Sequence, residues 1–310
     1  MILLLISPVE LLLLAFRRNE RDVINLYNSF SRLMQIISGG NMLNFGYWND
    51  KTQNPLEAQH ALSDMIGEFA SLDKARKLID VGSGYSAPAL QWGSQYNLLE
   101  ILCLNINLQQ LRIAIAFNSN SKTKDYPVAS FQGNKLKNNN IFHINATSTM
   151  LPLKNDSVDR IIAFESAQHF KPLSRFIQES NRVLKRSGLL VIAMPVLKNV
   201  SHFASLHSFL KLGILSVTWA SEHYKLEFVK SMINSHGFQI EDTKHIGSSV
   251  YVPLANYYIE NRVTLKNIII KEYPKFLEAV LYRSLLDMKE SSNHGVIDYV
   301  LLRAKKTDPY

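Results

Sequence analysis

Five short apolar stretches constrain the fold of this chain more than any other feature. They are KLIDV (77–81), LEILCLNI (99–106), IFHINA (141–146), VDRIIAFES (158–166) and LLVIAMP (189–195). Helical patterns separate them, from about Ala87, over LQQLRIAIAF and over LSRFIQESNRVLK, with a polar loop at 118–140 and a turn at RSG. Near-continuous apolar strands alternating with helices imply a parallel sheet covered on both faces. Farther on, EFVKSMINSHGFQIEDTKHIG reads as a helix capped at Gly237 and then a strand. GVIDYVLLRAKK (295–306) reads as a final edge strand.

Ahead of the alternation lies a helical region. Residues 19–38 carry Tyr27, Phe30, Leu33 and Met34 at helical spacing. SGGNMLNFGYWND is a Gly/Asn loop loaded with aromatics, and Pro55 opens another helix. The start, MILLLISPVELLLLAFRR, is apolar but shorter than the roughly 20 residues of a spanning helix, and Pro8 and Glu10 interrupt it. Arg17 and Arg18 follow the apolar run, the reverse of a secretory signal. Two readings stay open for residues 1–18: packing within the protein or an oligomer, or peripheral attachment to a membrane surface. The expected organisation is an apolar N-terminal helix (1–24), a helical lid (25–76) and a main domain (77–310) with a cap at 196–225.

Composition narrows the function. The apolar fraction of 46% is that of a globular protein. The net charge of +8 is scattered, with no basic block interleaved with aromatics, which disfavours nucleic acid as a partner. Cys103 is the sole cysteine, which rules out an internal disulfide and a Cys-based zinc site and fits a cytoplasmic location, free or membrane-associated.

The first strand runs into LIDVGSGYSAPA. Gly82-x-Gly84-x-x-Ala87 fits the dinucleotide-binding spacing. Two features oppose NAD: Asp80 closes the strand, and Asn105 and Asn107 stand where a ribose-binding acid is expected. A carboxylate beside an open glycine turn suits a cationic cofactor, and S-adenosylmethionine carries a sulfonium and an ammonium. The alternative is a tight strand-to-helix turn in which Asp80 caps the following amides.

These stretches together resemble, over about residues 25–240, the class I S-adenosylmethionine-dependent methyltransferases. The resemblance is to the branch of cyclopropane-fatty-acid synthases, sterol and tocopherol C-methyltransferases and natural-product enzymes. It implies an α/β, Rossmann-like, doubly wound and mostly parallel seven-stranded sheet, with an N-terminal helical lid and a helical cap after strand 5. LIDVGSGYS resembles the family's first motif, with Ser86 in place of its third glycine, and assigns the cofactor to Asp80, Gly82, Ser83 and Gly84. CLNINLQQ is similar to the end of the second strand and implies ribose contacts from Asn105, Ile106 and Gln110. INATSTMLPL resembles the adenine-binding loop, implicating Asn145 and Ala146. Asn145 stands where the family has Asp; its carbonyl still accepts, with affinity lower by about 1 kcal/mol. LYNSFSRLMQ and NFGYW resemble the lid and imply cofactor contacts from Tyr27, Tyr47 and Trp48; the alternative for all three is core packing.

For chemistry, FESAQHF at the end of the fourth strand offers Glu165 and His169. His169 suits a general base, or it is a cap or surface histidine; Glu165 is either catalytic or a cofactor contact. Residues 196–225 are rich in Phe, Leu and Trp, as a pocket for an apolar acceptor would be. His202, His207 and His223 lack metal-site spacing and read as pocket or surface residues. The expected activity is methyl transfer to carbon or oxygen of a hydrophobic lipid, isoprenoid or polycyclic molecule, releasing S-adenosylhomocysteine. The alternatives are a cyclase or isomerase of the same fold, or a non-catalytic cofactor-binding protein.

Overall fold

The structure, a computed structural model, describes residues 19–118, 140–198 and 223–307. The chain runs α1 (Glu20–Ser38), α2 (Pro55–Phe69), β1 (Lys77–Val81), α3 (Ala87–Gln95), β2 (Glu100–Asn105), α4 (Leu108–Asn118) and β3 (Ile141–Asn145). It continues through β4 (Val158–Phe164), α5 (Leu173–Val183), β5 (Leu184–Leu197), α6 (Leu226–Ser235) and β6 (Phe238–His245). Three helices follow, α7 (Tyr251–Glu260), α8 (Arg262–Glu272) and α9 (Lys275–Asn293), and then β7 (Ile297–Lys306).

The seven strands form one sheet in the order β3-β2-β1-β4-β5-β7-β6. The first five run parallel, while β7 is antiparallel to both β5 and β6. Alternation along each strand sorts side chains between two cores. Leu78, Ile162, Val191 and Leu301 face one of them, where Trp92, Tyr251 and Tyr258 also pack. Ile79, Ile161, Leu190 and Leu302 face the other, against Phe176 of α5 and Val229 of α6.

Three expectations are corrected here. β7 is not an edge strand but lies between β5 and β6. Residues 298–302 are consecutively buried, as a strand with neighbours on both sides and covered faces requires. The three helices over 251–293 went unread in the sequence. Further, the expected boundary between residues 24 and 25 falls inside α1. The RSG turn is absorbed within β5: Val158 pairs with Leu184 and Arg160 with Leu189, so residues 185–188 bulge out opposite Asp159. The apolar segment 1–18 and most of the expected cap, 199–222, lie outside the described residues. No described helix is long and apolar enough to cross a membrane.

Helix α1 has clear local causes. Asn19 caps it by accepting from the Asp22 amide at 3.1 Å, and Gly39 ends it in the left-handed conformation at φ 72°. Its apolar residues Val23, Leu26, Phe30 and Leu33 are buried. The α7–α9 helices buttress it: Arg32 forms a fork with Glu272 at 2.9 Å for each bond, and the Tyr273 hydroxyl donates to the Ser29 carbonyl at 3.0 Å. The loop after α1 is held against α2 through Gly46, where a Cβ would lie 2.5 Å from Ala58 Cβ and 2.7 Å from its carbonyl carbon. Gly46→Ala is therefore expected to lower stability by about 1–3 kcal/mol, read as a fall in thermal midpoint. An unchanged midpoint would place this loop elsewhere.

Candidate active site

In an open α/β sheet, ligands bind at the carboxyl ends of the strands, where the strand order reverses. That point lies between β1 and β4, and a cavity opens there, roofed by α1 and the 41–44 loop. Eleven of the residues read from the sequence line it: Tyr27, Asp80, Gly82, Ser83, Gly84, Asn105, Ile106, Gln110, Ala146, Glu165 and His169.

The floor is the turn after β1. Gly82 sits at φ 80°, and a Cβ there would overlap Ser166, whose hydroxyl donates to the Val81 carbonyl at 2.5 Å. The amides of Gly82 and Ser83 both donate to the Leu104 carbonyl, at 2.7 and 3.1 Å, pinning the turn to β2. Gly84 is also left-handed at φ 55°, and its missing side chain would project into space bounded only by Leu43 at 3.9 Å. Ser86 adopts φ 58°, the left-handed region that favours glycine. Asp80 is 2% exposed, and its Oδ2 has no hydrogen-bond partner. Burial alone pushes its carboxyl up to about 7. Such an oxygen on a cavity wall is suited to meeting a cation or donor from a ligand.

Three assignments change at the other walls. Asn105 is largely committed within the protein: Nδ2 donates to the Gly84 carbonyl at 3.1 Å and to Gln110 Oε1 at 2.9 Å, and Oδ1 accepts from the Asn107 amide at 3.0 Å. It therefore fixes the cavity's shape and keeps one lone pair on Oδ1 for a ligand. Asn145 does not line the cavity. Its Nδ2 donates to the Asn105 and Ile106 carbonyls at 2.8 and 2.9 Å, a bracing role that an Asp carboxylate, having no donor, does not fill. Tyr47 and Trp48 also lie off this cavity. Their amides donate to Ala58 and Ser249 at 2.8 Å, and the Trp48 ring lies 5.8 Å from Tyr257. Their backbone thus anchors the loop, while Trp48, whose buried indole N–H has no partner, lines a smaller adjoining pocket that Glu165 also borders.

α1 closes the cavity with four polar contacts on one helix face. Glu20 accepts from the Thr147 hydroxyl, Tyr27 meets His169 Nε2 at 3.2 Å, Asn28 accepts from Asn107 at 2.8 Å, and Ser31 accepts from Gln110 at 3.3 Å. The sequence supplied Tyr27, His169 and Gln110 separately, but Glu20, Asn28 and Ser31 had no distinguishing signal. His169 is buried at 7% exposure in the 3₁₀ turn Ala167–His169, and its ring meets Tyr27 edge-on at 5.6 Å between centroids. No described group of three His, Cys, Asp or Glu residues could hold a metal.

Glu165 is a fastener. It sits at φ 51°, a left-handed conformation uncommon for a residue with a side chain. Its carboxyl accepts from the Phe45 amide at 2.9 and 3.0 Å and from the Tyr299 hydroxyl at 2.8 Å. Burial pushes it up to about 8, against the two donors that pull it down. Because the folded value lies above the ordinary 4.5, the native state keeps a proton that the unfolded state has released. The stability this carries is complete below the unfolded value and is lost as pH rises through about 8. Thermal unfolding of the ligand-free protein is therefore expected to weaken between pH 5 and 8.5, by on the order of 2 kcal/mol or more. Glu165→Gln should flatten the part above pH 7. A flat profile in the unsubstituted protein would mean that this carboxyl is not held protonated.

A family model described as a methyltransferase domain matches residues 79–192. The chain is 24% identical over 166 residues to erythromycin 3''-O-methyltransferase of Saccharopolyspora erythraea, covering 54% of this chain and 50% of that one. It is 28% identical over 181 residues to the methyltransferase GfsG of Streptomyces halstedii, covering 58% and 59%. The matched stretch thus spans only about half to three-fifths of these relatives. A crystal structure of mycolic acid cyclopropane synthase CmaA1 with S-adenosylhomocysteine superposes at TM-score 0.72 and 15% identity, over 94% of this chain and 97% of that one. The methyltransferase domain model thus covers residues 79–192, and over most of its length the chain has the fold of that cyclopropane synthase.

Proposed function

We propose that this protein transfers the methyl group of S-adenosylmethionine to carbon or oxygen of a hydrophobic small molecule. The observation that carries this reading is Asp80: a buried, unpartnered carboxylate oxygen on the wall of a cavity beside two left-handed glycines. A cofactor with an ammonium and a sulfonium satisfies that oxygen; NAD offers no such group near its pyrophosphate. Relatives named as erythromycin 3''-O-methyltransferase and 27-O-demethylrifamycin SV methyltransferase, and structural neighbours named as a mycolic acid cyclopropane synthase and a geranyl diphosphate C-methyltransferase, support a largely apolar acceptor.

The cofactor supplies a methyl group on a good leaving group, so orientation and exclusion of water meet much of the barrier. Asp80 holds the positive end, and Gly82 and Gly84 let the backbone approach closely. Asn105, Ile106, Gln110 and Ala146 shape the nucleoside end. Glu165 keeps the roof loop in place through Phe45. An acceptor hydroxyl must lose its proton as the methyl arrives. The Tyr27–His169 contact supports a route for it: the Tyr27 hydroxyl takes a proton from the acceptor as it gives its own to His169 Nε2. The helical cap expected at 196–225 and the lid role of residues 25–76 belong to this proposal.

Two outcomes test it. Calorimetry should find S-adenosylhomocysteine binding at about micromolar strength and no binding of NAD. Affinity should rise as pH climbs through about 7, because Asp80 must ionise to meet the cation. Asp80→Asn should remove that dependence and weaken binding about tenfold or more, and Gly84→Val should abolish binding. Unchanged binding in both variants would refute the site. Separately, with an acceptor found by mass spectrometry of a lipid and metabolite extract, His169→Ala should cut turnover at least about tenfold. Its S-adenosylhomocysteine affinity should stay within about threefold, since three of the four α1 contacts remain. An acceptor that is rearranged with no S-adenosylhomocysteine released would instead assign a cyclase or isomerase.

A further inference from the structure

Beside the cofactor cavity lies a second, more apolar chamber under α1. Leu26, Phe30, Leu33, Phe45 and Leu281 form most of its wall, and it shares Tyr27, Leu43 and Glu165 with the larger cavity. One residue of its lining carries an uncommitted polar atom. Gln168, 3% exposed, donates through Nε2 to the Glu165 carbonyl at 2.7 Å, while its Oε1 has no partner. The amide cannot be turned around, because that would set two carbonyl-type oxygens against each other at 2.7 Å. A buried acceptor left without a donor is uncommon in a folded protein.

We infer that this chamber binds the acceptor's apolar skeleton and that Gln168 Oε1 selects molecules carrying a hydroxyl, which it anchors as hydrogen-bond acceptor. This rests on reading the larger cavity as the cofactor site, since the shared walls place the chamber beside it. The chamber's own polar groups exclude other classes. A ketone or ether oxygen would face Oε1 with no donor between them. A cation would find no free carboxylate, because the Glu165 oxygens already accept from Phe45 and Tyr299. Gln168 therefore acts as a specificity residue, next to the Tyr27–His169 pair and distinct from it.

The test uses 2-decanol and 2-decanone, which share a skeleton and differ only in offering a donor. Their binding to the full-length protein is measured by equilibrium dialysis, with and without S-adenosylhomocysteine. The unsubstituted protein should bind the alcohol about tenfold more tightly than the ketone. Gln168→Met, which keeps the length and removes the acceptor, should bring the two within about twofold while S-adenosylhomocysteine affinity holds. Equal binding in the unsubstituted protein, no saturable binding of either probe, or a preference that survives in the variant would each overturn the inference. If Gln168→Met does not fold, the comparison in the unsubstituted protein decides alone. A failure to bind S-adenosylhomocysteine while the alcohol preference persists would refute the cofactor reading and leave the Gln168 contact standing.

Discussion

A buried carboxyl at the end of β4 joins three parts of the chain that are remote in sequence. Glu165 accepts from Phe45, in the loop that roofs the cavity, and from Tyr299, in the middle of β7. It leaves the strand with a left-handed backbone, which aims its side chain away from the sheet's own ladder and toward both donors. Burial of an acid is costly unless it is hydrogen-bonded or neutral, and here it is both. The position of the roof, the spacing between the two cavities and the orientation of Gln168 all depend on that junction. The Tyr299 hydroxyl is itself pushed well above its ordinary range by burial, so it remains a donor across the working pH range.

The roof is held by contacts of two kinds. The apolar side chains of α1 join one core cluster with the α7–α9 helices, and several of them also wall the apolar chamber. The contacts to the cavity rim are polar: Glu20 with Thr147, Tyr27 with His169, Asn28 with Asn107, Ser31 with Gln110. Each is worth only about 1 kcal/mol net, because water can replace it. Such a rim can part residue by residue without unfolding the helix, as exchange of the proposed cofactor would require.

The sheet was legible because apolar continuity and glycine placement are properties of single segments. KLIDV reads as a strand and Gly82 as a turn whatever surrounds them, and the structure bounds β1 at the same residues, 77–81. The place of β7 was not legible, since a run of buried residues records that both faces are covered and not which strands lie beside it. The helices of 251–293 leave no one-sided pattern because α7 and α9 bury side chains against each other and α8 packs on α1. Within the site, the glycines and Asp80 were found by spacing. The role of Asn145 could not be, because an amide side chain can donate or accept, and the sequence does not show that its donor end braces the Asn105 and Ile106 carbonyls. The partnership of Glu165 and Tyr299 spans 134 residues and leaves no local trace.

The antiparallel insertion of β7 has a consequence for the order of assembly. Six strands and every described helix are synthesised before it, yet β6 has no sheet neighbour until β7 arrives to separate it from β5. The β5–β7 pairs join residues 100–116 apart, against 82 for the β1–β4 pairs, so they form after the local helices and the parallel strands. Until then Glu165 lacks its hydroxyl donor and the roof loop lacks a fixed floor. A growing chain therefore carries its glycine turn long before it carries a closed pocket, and ligand capture falls among the final events of folding.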